Sequence, residues 1–154
     1  MPGTAAVRKV LEALQGRLEM VPGMVGRVYI DRPQEEPFGN AEMPALNVRL
    51  LNIYFKPFDH AHDQHSADID IDIVTDNRND GINADQADLA AATVETLWGD
   101  RFLEGRLQFL QPVSLSGDAQ NGAEAGVAPL KYLLSYLTPV GDHFTIVGQS
   151  GIRF

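Results

Sequence analysis

The chain has 154 residues, 44% hydrophobic and 21% charged, a balance that suits one folded domain with a core and argues against disorder. Twelve basic residues stand against twenty-one acidic ones, for a net charge of −9, and there is no run of Lys or Arg; both argue against a reader of nucleic-acid phosphates. With no cysteine, thiol catalysis, disulfides and Cys-ligated zinc are excluded as well.

Residues 4 to 20 place Val7, Val10, Leu11, Leu14 and Leu18 on one stripe, which predicts a helix with Thr4 as its N-cap and Pro22-Gly23 as its stop. This stretch has no apolar signal-peptide core, and no run approaches the ~18 apolar residues of a membrane span, so a soluble chain folded in the cytoplasm is expected. VGRVYI (25–30) predicts a short strand, DRPQEEPFGN a polar loop, and MPALNVRLLNIYF (43–55) a second strand. A loop is expected over 56–66, which holds Pro57 and the histidines.

ADIDIDIVT then alternates strictly, with Ile69, Ile71 and Ile73 on one face and Asp68, Asp70 and Asp72 on the other: a strand with one buried side. After the turn signal DNRNDG a helix is predicted over 84–98, with Asn83 as cap, Gln86 at the capping-box position and Gly99 as stop. Its expected buried stripe is Ala87, Ala90, Ala91, Val94, Leu97 and Trp98. GRLQFLQPVSLSG follows as a strand that Pro112 marks as an edge or a bend, then the small polar loop GDAQNGAEAG. LKYLLSYLTPV and HFTIVGQ complete the pattern as strands, with Tyr132, Leu134 and Tyr136 on one side. The expected fold is α+β: a mostly antiparallel sheet of five to six strands, two main helices on one face, and a single domain over 1–154.

Three histidines and five aspartates crowd residues 60–76. Asp70 and Asp72 project from one strand face about 7 Å apart, close enough to share a divalent ion if a third ligand arrives. His60, His62 and His65 are the imidazoles such an ion would use, yet their spacing matches no closed structural-zinc pattern. A two-metal nuclease needs a lysine near the strand end, and Lys9, Lys56 and Lys131 are all remote from it. The Gly148-Gln-Ser150-Gly151 stretch lacks the spacing of a hydrolase elbow, and no phosphate-cradling glycine loop exists. No catalytic residue, metal or cofactor is expected. The plainer reading packs the isoleucines on the helices and leaves the aspartates in water, with Arg27 and Arg49 as cross-strand partners contributing about 0.2–1 kcal/mol each.

The order of elements resembles the tail terminator (tail completion) proteins of long-tailed bacteriophages and gene transfer agents. The helix VRKVLEALQGRL leads through Pro-Gly into VGRVYI; the proline-led strand MPALNVRLL precedes a long polar loop. The alternating strand, the helix ADLAAATVETLWGD and the tyrosine-bearing strand PLKYLLSYLTPV complete a likeness over nearly the whole chain. The resemblance implies a non-enzymatic virion protein that forms a ring, usually of six subunits, on the finished tail tube, stops polymerisation and joins the head. Its implied partners are further copies of itself, the major tail tube protein and the head-completion connector, with DNA passing through unbound and no membrane involved. The implied location is the virion tail, after assembly in the host cytoplasm. On that reading the loops 31–42, 52–66 and 116–128 are contact candidates. The row Asp68, Asp70 and Asp72 either lines the lumen or faces Arg27, Arg49 or Arg106 of a neighbouring subunit. The rivals are another phage connector, as a head-closure or tail-tube component, or a small metal-dependent enzyme built on the Asp/His cluster.

Overall fold

The computed structural model describes residues 3–33, 36–76, 81–117 and 125–154. Helix α1 (Ala6–Leu18) leads into the short strand β1 (Val28–Ile30) and the long pair β2 (Ala45–Pro57) and β3 (His62–Thr75). Helix α2 (Ala84–Trp98) then precedes β4 (Phe109–Leu115) and β5 (Gly126–Pro139). The fold is α+β, a five-stranded sheet in the order β1-β2-β3-β5-β4. Only β1 and β2 run parallel, because the segment from Asp31 to Pro44 carries the chain back to the end where β1 began; the other pairs are antiparallel.

The apolar residues of α1 fall where their spacing placed them: Val10, Leu11, Leu14 and Leu18 are buried against the sheet. Thr4 is not its cap. The helix starts one residue later, after Ala5, with no side-chain cap; the Ala6 N–H donates instead to the carbonyl of His143, 2.8 Å away. Lys9 reaches the carbonyls of Phe144 and Phe154, so the C-terminal segment closes over the first turn of α1. HFTIVGQ forms no strand. Its Val147 makes isolated bridges to Leu137 and Arg153, and Ile146 exchanges backbone hydrogen bonds with Phe154.

Helix α2 keeps its predicted bounds and its capping box: Asn83 Oδ1 accepts from Gln86 N at 2.8 Å, and Gln86 Oε1 from Asn83 N at 3.1 Å. Its buried stripe is rotated from the expected one. Gln86, Ala90, Thr93 and Leu97 face the sheet, whereas Trp98 is 63% exposed and Ala87 and Ala91 lie outside. An alanine-rich helix gives weak hydrophobic contrast between faces, and the polar members of the buried stripe are partly satisfied within the helix, although Gln86 Nε2 has no hydrogen-bond partner among the described residues. Gln86 serves the cap, and the Thr93 hydroxyl donates to Leu89 O at 2.8 Å. Gly99 ends α2 without a left-handed φ (−63°); a side-chain carbon there would sit 2.5 Å from the Arg17 guanidinium, whose Nε donates to Thr96 O in the last turn.

Pro112 lies on the edge strand β4 beside a bulge, as its chemistry requires. Residues 77–80 of the turn DNRNDG and 118–124 of the loop GDAQNGAEAG lie outside the described residues. Among the described residues no helix is long and apolar enough to cross a membrane.

Candidate functional site

The segment expected to loop over 56–66 is mostly strand. β2 continues to Pro57, β3 begins at His62, and β5 follows β3 as far as Pro139. Asp59 makes so short a turn possible: its Oδ1 accepts from Ala61 N and His62 N, each at 2.8 Å, and the His62 ring sits 2.9 Å from it. The imidazole contact, followed by the backbone donors, holds the Asp59 carboxyl below the usual carboxylate range.

Strand alternation then disperses the histidines. His60 is exposed at the turn and His62 is tied to Asp59. His65 is buried on the helix-bearing face, with Nδ1 3.2 Å from the Tyr136 hydroxyl and Nε2 3.1 Å from that of Thr138. Phe55, directly opposite on β2, meets the His65 ring edge-on at 4.7 Å, and His143 meets it at 4.6 Å. His143 was not legible as part of this cluster, because nothing in sequence links it to a residue so distant. Among the described residues no three His, Asp or Glu side chains converge to hold a metal ion.

Burial, then the neighbouring His143, pushes the His65 imidazole below its ordinary value, with Asp63 opposing weakly. The unfolded chain therefore takes up this proton first as the pH falls. Stability is fully present above about pH 6.5 and is lost progressively toward the lower folded pKa. Calorimetric melting between pH 7.5 and 5 should show Tm falling with pH, and His65→Phe should flatten that slope even though its overall Tm is lower.

On the helix-free face, Asp68, Asp70 and Asp72 do share one side of β3, but two of them are not in water. Asp70 and Asp72 are 8% and 7% exposed. Arg49 stands opposite Asp70 in the register and spans both carboxylates. Its Nε donates to Asp72 Oδ2 at 2.6 Å, and its Nη2 donates to Asp72 Oδ1 and to Asp70 Oδ2, each at 3.2 Å. The expected solvated row is thus an internal clamp, because a guanidinium fork can serve two carboxylates at once. Burial nonetheless outweighs Arg49 and pushes the Asp72 carboxyl above the usual range. Asp70 Oδ1 is buried without a hydrogen-bond partner among the described residues. Asp68 is half-buried and accepts from the Tyr54 hydroxyl at 3.3 Å.

The other two arginines stand away from this row within the chain. Arg27 donates to Pro44 O at 3.4 Å. Arg106 bonds Leu103 O at 3.1 Å and lies over the Phe154 ring. A second clamp, unforeseen from sequence, ties residues 36–42 to Arg32: Arg32 grips Glu42 at 2.6 and 3.1 Å, binds the carbonyls of Glu36 and Pro37, and lies over the Tyr29 and Phe38 rings, which meet edge-on. Arg32, helped by the Gly39 N–H, brings the Glu42 carboxyl down to about 2.

The class this geometry defines is an α+β fold with one helix-backed sheet and an internally neutralised open face. No protein-family model matches the chain, and no curated protein matches it. Among solved structures, a chain of "Virion of native gene transfer agent (GTA) particle" is similar at 18% identity and a TM-score of 0.49, over 85% of this chain and 90% of that one. A likeness at that level assigns no role to any residue here.

Proposed function

We propose that the chain is a structural virion assembly protein that acts as a ring, hexameric as in the family it resembles, capping the tail tube and offering the head its joining surface. One observation supports this beyond the resemblance: different apolar side chains are exposed along the two opposite flanks of its sheet. On the β2 side Leu51, Tyr54, Phe55 and Phe58 are 38–58% exposed; on the other flank Trp98 is 63%, Val113 51% and Phe109 38% exposed. Unlike surfaces on opposite flanks make head-to-tail contacts, and such contacts close into rings when the rotation allows.

The acidic row plays a modest part in this reading. Its three carboxylates share that face of the sheet with Arg49, Lys56 and Lys131, so the strands leave no net charge there. That suits a lumen wall which lets DNA slide past, although Arg49 is already engaged within its own chain. The partners are other copies, the tube protein and the head connector.

Electron microscopy of the purified protein mixed with tail tubes should show a single ring at one tube end and tubes of fixed length. Long polymers of this chain alone would favour a tube component. Stoichiometric binding of Mg²⁺, Mn²⁺, Zn²⁺ or Ni²⁺ in calorimetry, abolished by Asp70→Ala, would favour the metal-dependent enzyme.

A further inference from the structure

His65 is only 2% exposed, yet two of the rings packed on it, Phe55 and His143, are themselves at the surface. Those two stack on each other at 5.0 Å, and both meet the His65 ring edge-on. His143 stands in a turn that Gly141 permits, with its φ of +77°. Asp142 N donates to Pro139 O, and Asp142 Oδ1 accepts from Phe144 N at 2.8 Å and from Thr145 N at 3.2 Å. The same turn holds the start of α1: His143 O accepts from Ala6 N, and Phe144 O from Lys9 Nζ, each at 2.8 Å.

We propose that residues 141–145 are a proton-operated lid, closed over His65 while its imidazole is neutral and lifted, with release of the first turn of α1, when that imidazole takes up a proton. The groups facing His65 give a cation little support while the lid is down. From β5 it meets the hydroxyls of Tyr136 and Thr138; burial raises the Tyr136 pKa, so that phenol stays uncharged. From β2 it meets Phe55, and from the turn His143, whose ring centre is 4.6 Å away. Asp63, on β3 itself, opposes weakly. Asp142 is engaged with backbone amides and Lys9 with backbone carbonyls. A charged ring therefore needs water, and displacing His143 admits it. Anchors on both sides confine the opening to the turn: Val140 N donates to Ala61 O, and fully buried Ile146 exchanges backbone hydrogen bonds with Phe154. The lid does not depend on the ring reading. Because Phe55 loses its stacking partner when the lid lifts, the device also controls what the β2 flank presents.

Amide hydrogen exchange of the full chain tests this, read by NMR at pH 7.5 and 5.5 and corrected for the intrinsic pH dependence of exchange. The Ala6, Phe144 and Thr145 amides are expected to exchange faster at pH 5.5 by up to about tenfold, the limit for one histidine with an ordinary pKa of about 6.5 in the open form. The Ile71 and Ile146 amides are expected to keep their protection. No acceleration in the turn, or an equal one at Ile71 and Ile146, would overturn the lid. His65→Asn keeps a hydrogen-bonding side chain without an imidazole and should make the two pH values equal. His143→Gln changes an exposed side chain, leaves the fold in place, and should give a smaller pH effect than the unmodified chain. An undiminished pH effect in either variant would also overturn the proposal.

Discussion

Replacing Arg49 with methionine is expected to lower unfolding stability by about 2–3 kcal/mol, a drop in Tm of roughly 5–10 °C for a chain of this size. Methionine keeps the length of the side chain and removes the fork. Asp70 and Asp72 would then lie side by side, buried, with no counter-charge, and Asp70 already has one oxygen unpartnered. Removing one partner of a buried ion pair costs about 3–5 kcal/mol; the expectation is set lower because the Arg49 side chain is 34% exposed and water relieves part of the strain.

The pH dependence has a definite sign. Without Arg49, burial acts unopposed on the Asp72 carboxyl, which ionises at higher pH in the folded state than in the unfolded one, so the folded state binds the extra proton. Stability of the variant therefore rises as pH falls through the raised Asp72 pKa, opposite to the acid loss produced by His65. Adding Asp70→Asn and Asp72→Asn to Arg49→Met should restore most of the lost stability. Urea titrations of the three proteins at pH 7 and pH 5 measure all of this, and a loss under about 0.5 kcal/mol for Arg49→Met would show that the clamp is ornamental.

This clamp marks where sequence reading stops. The alternation of Asp68 through Ile73 fixed the strand and its two faces, and Arg49 could be seen to sit at a polar position of a neighbouring strand. What periodicity cannot supply is register: whether Arg49 stands opposite Asp70 and covers Asp72, or slides past both, depends on the β2–β3 pairing and on the bulge between Leu50 and Asn52. Helix α2 shows the same limit in another form. Its capping box was legible because two residues three positions apart, Asn83 and Gln86, define it, while its buried face was not, because Ala87, Ala90 and Ala91 are equally apolar and only packing chooses among them. The histidines were legible as a cluster in sequence but not in space, since strand geometry sends His62 and His65 to opposite faces and the turn takes His60. The contacts that close the fold from far away, His143 on α1 and Arg32 on Glu42, leave no local pattern at all.

The isoleucine side of the same strand should respond still more strongly than the aspartate side. Ile71 is fully buried, flanked by Val48 on β2 and Leu130 on β5, and belongs to the main core with Leu14 of α1 and Ala90 of α2. Ile71→Ala removes three carbons from a close-packed layer between sheet and helices, and two paired strands on either side restrict how far the site can collapse. The loss is expected to be about 3–4 kcal/mol, or roughly 10 °C in Tm, nearly independent of pH and salt because no charge is involved. Asp68→Ala, one register step along the other face from Asp70, gives up a single 3.3 Å contact with Tyr54 and should change stability by less than about 1 kcal/mol. If Ile71→Ala proved as mild as Asp68→Ala, the helix-bearing face of β3 would not be the core, and the flank geometry on which ring closure depends would fall with it.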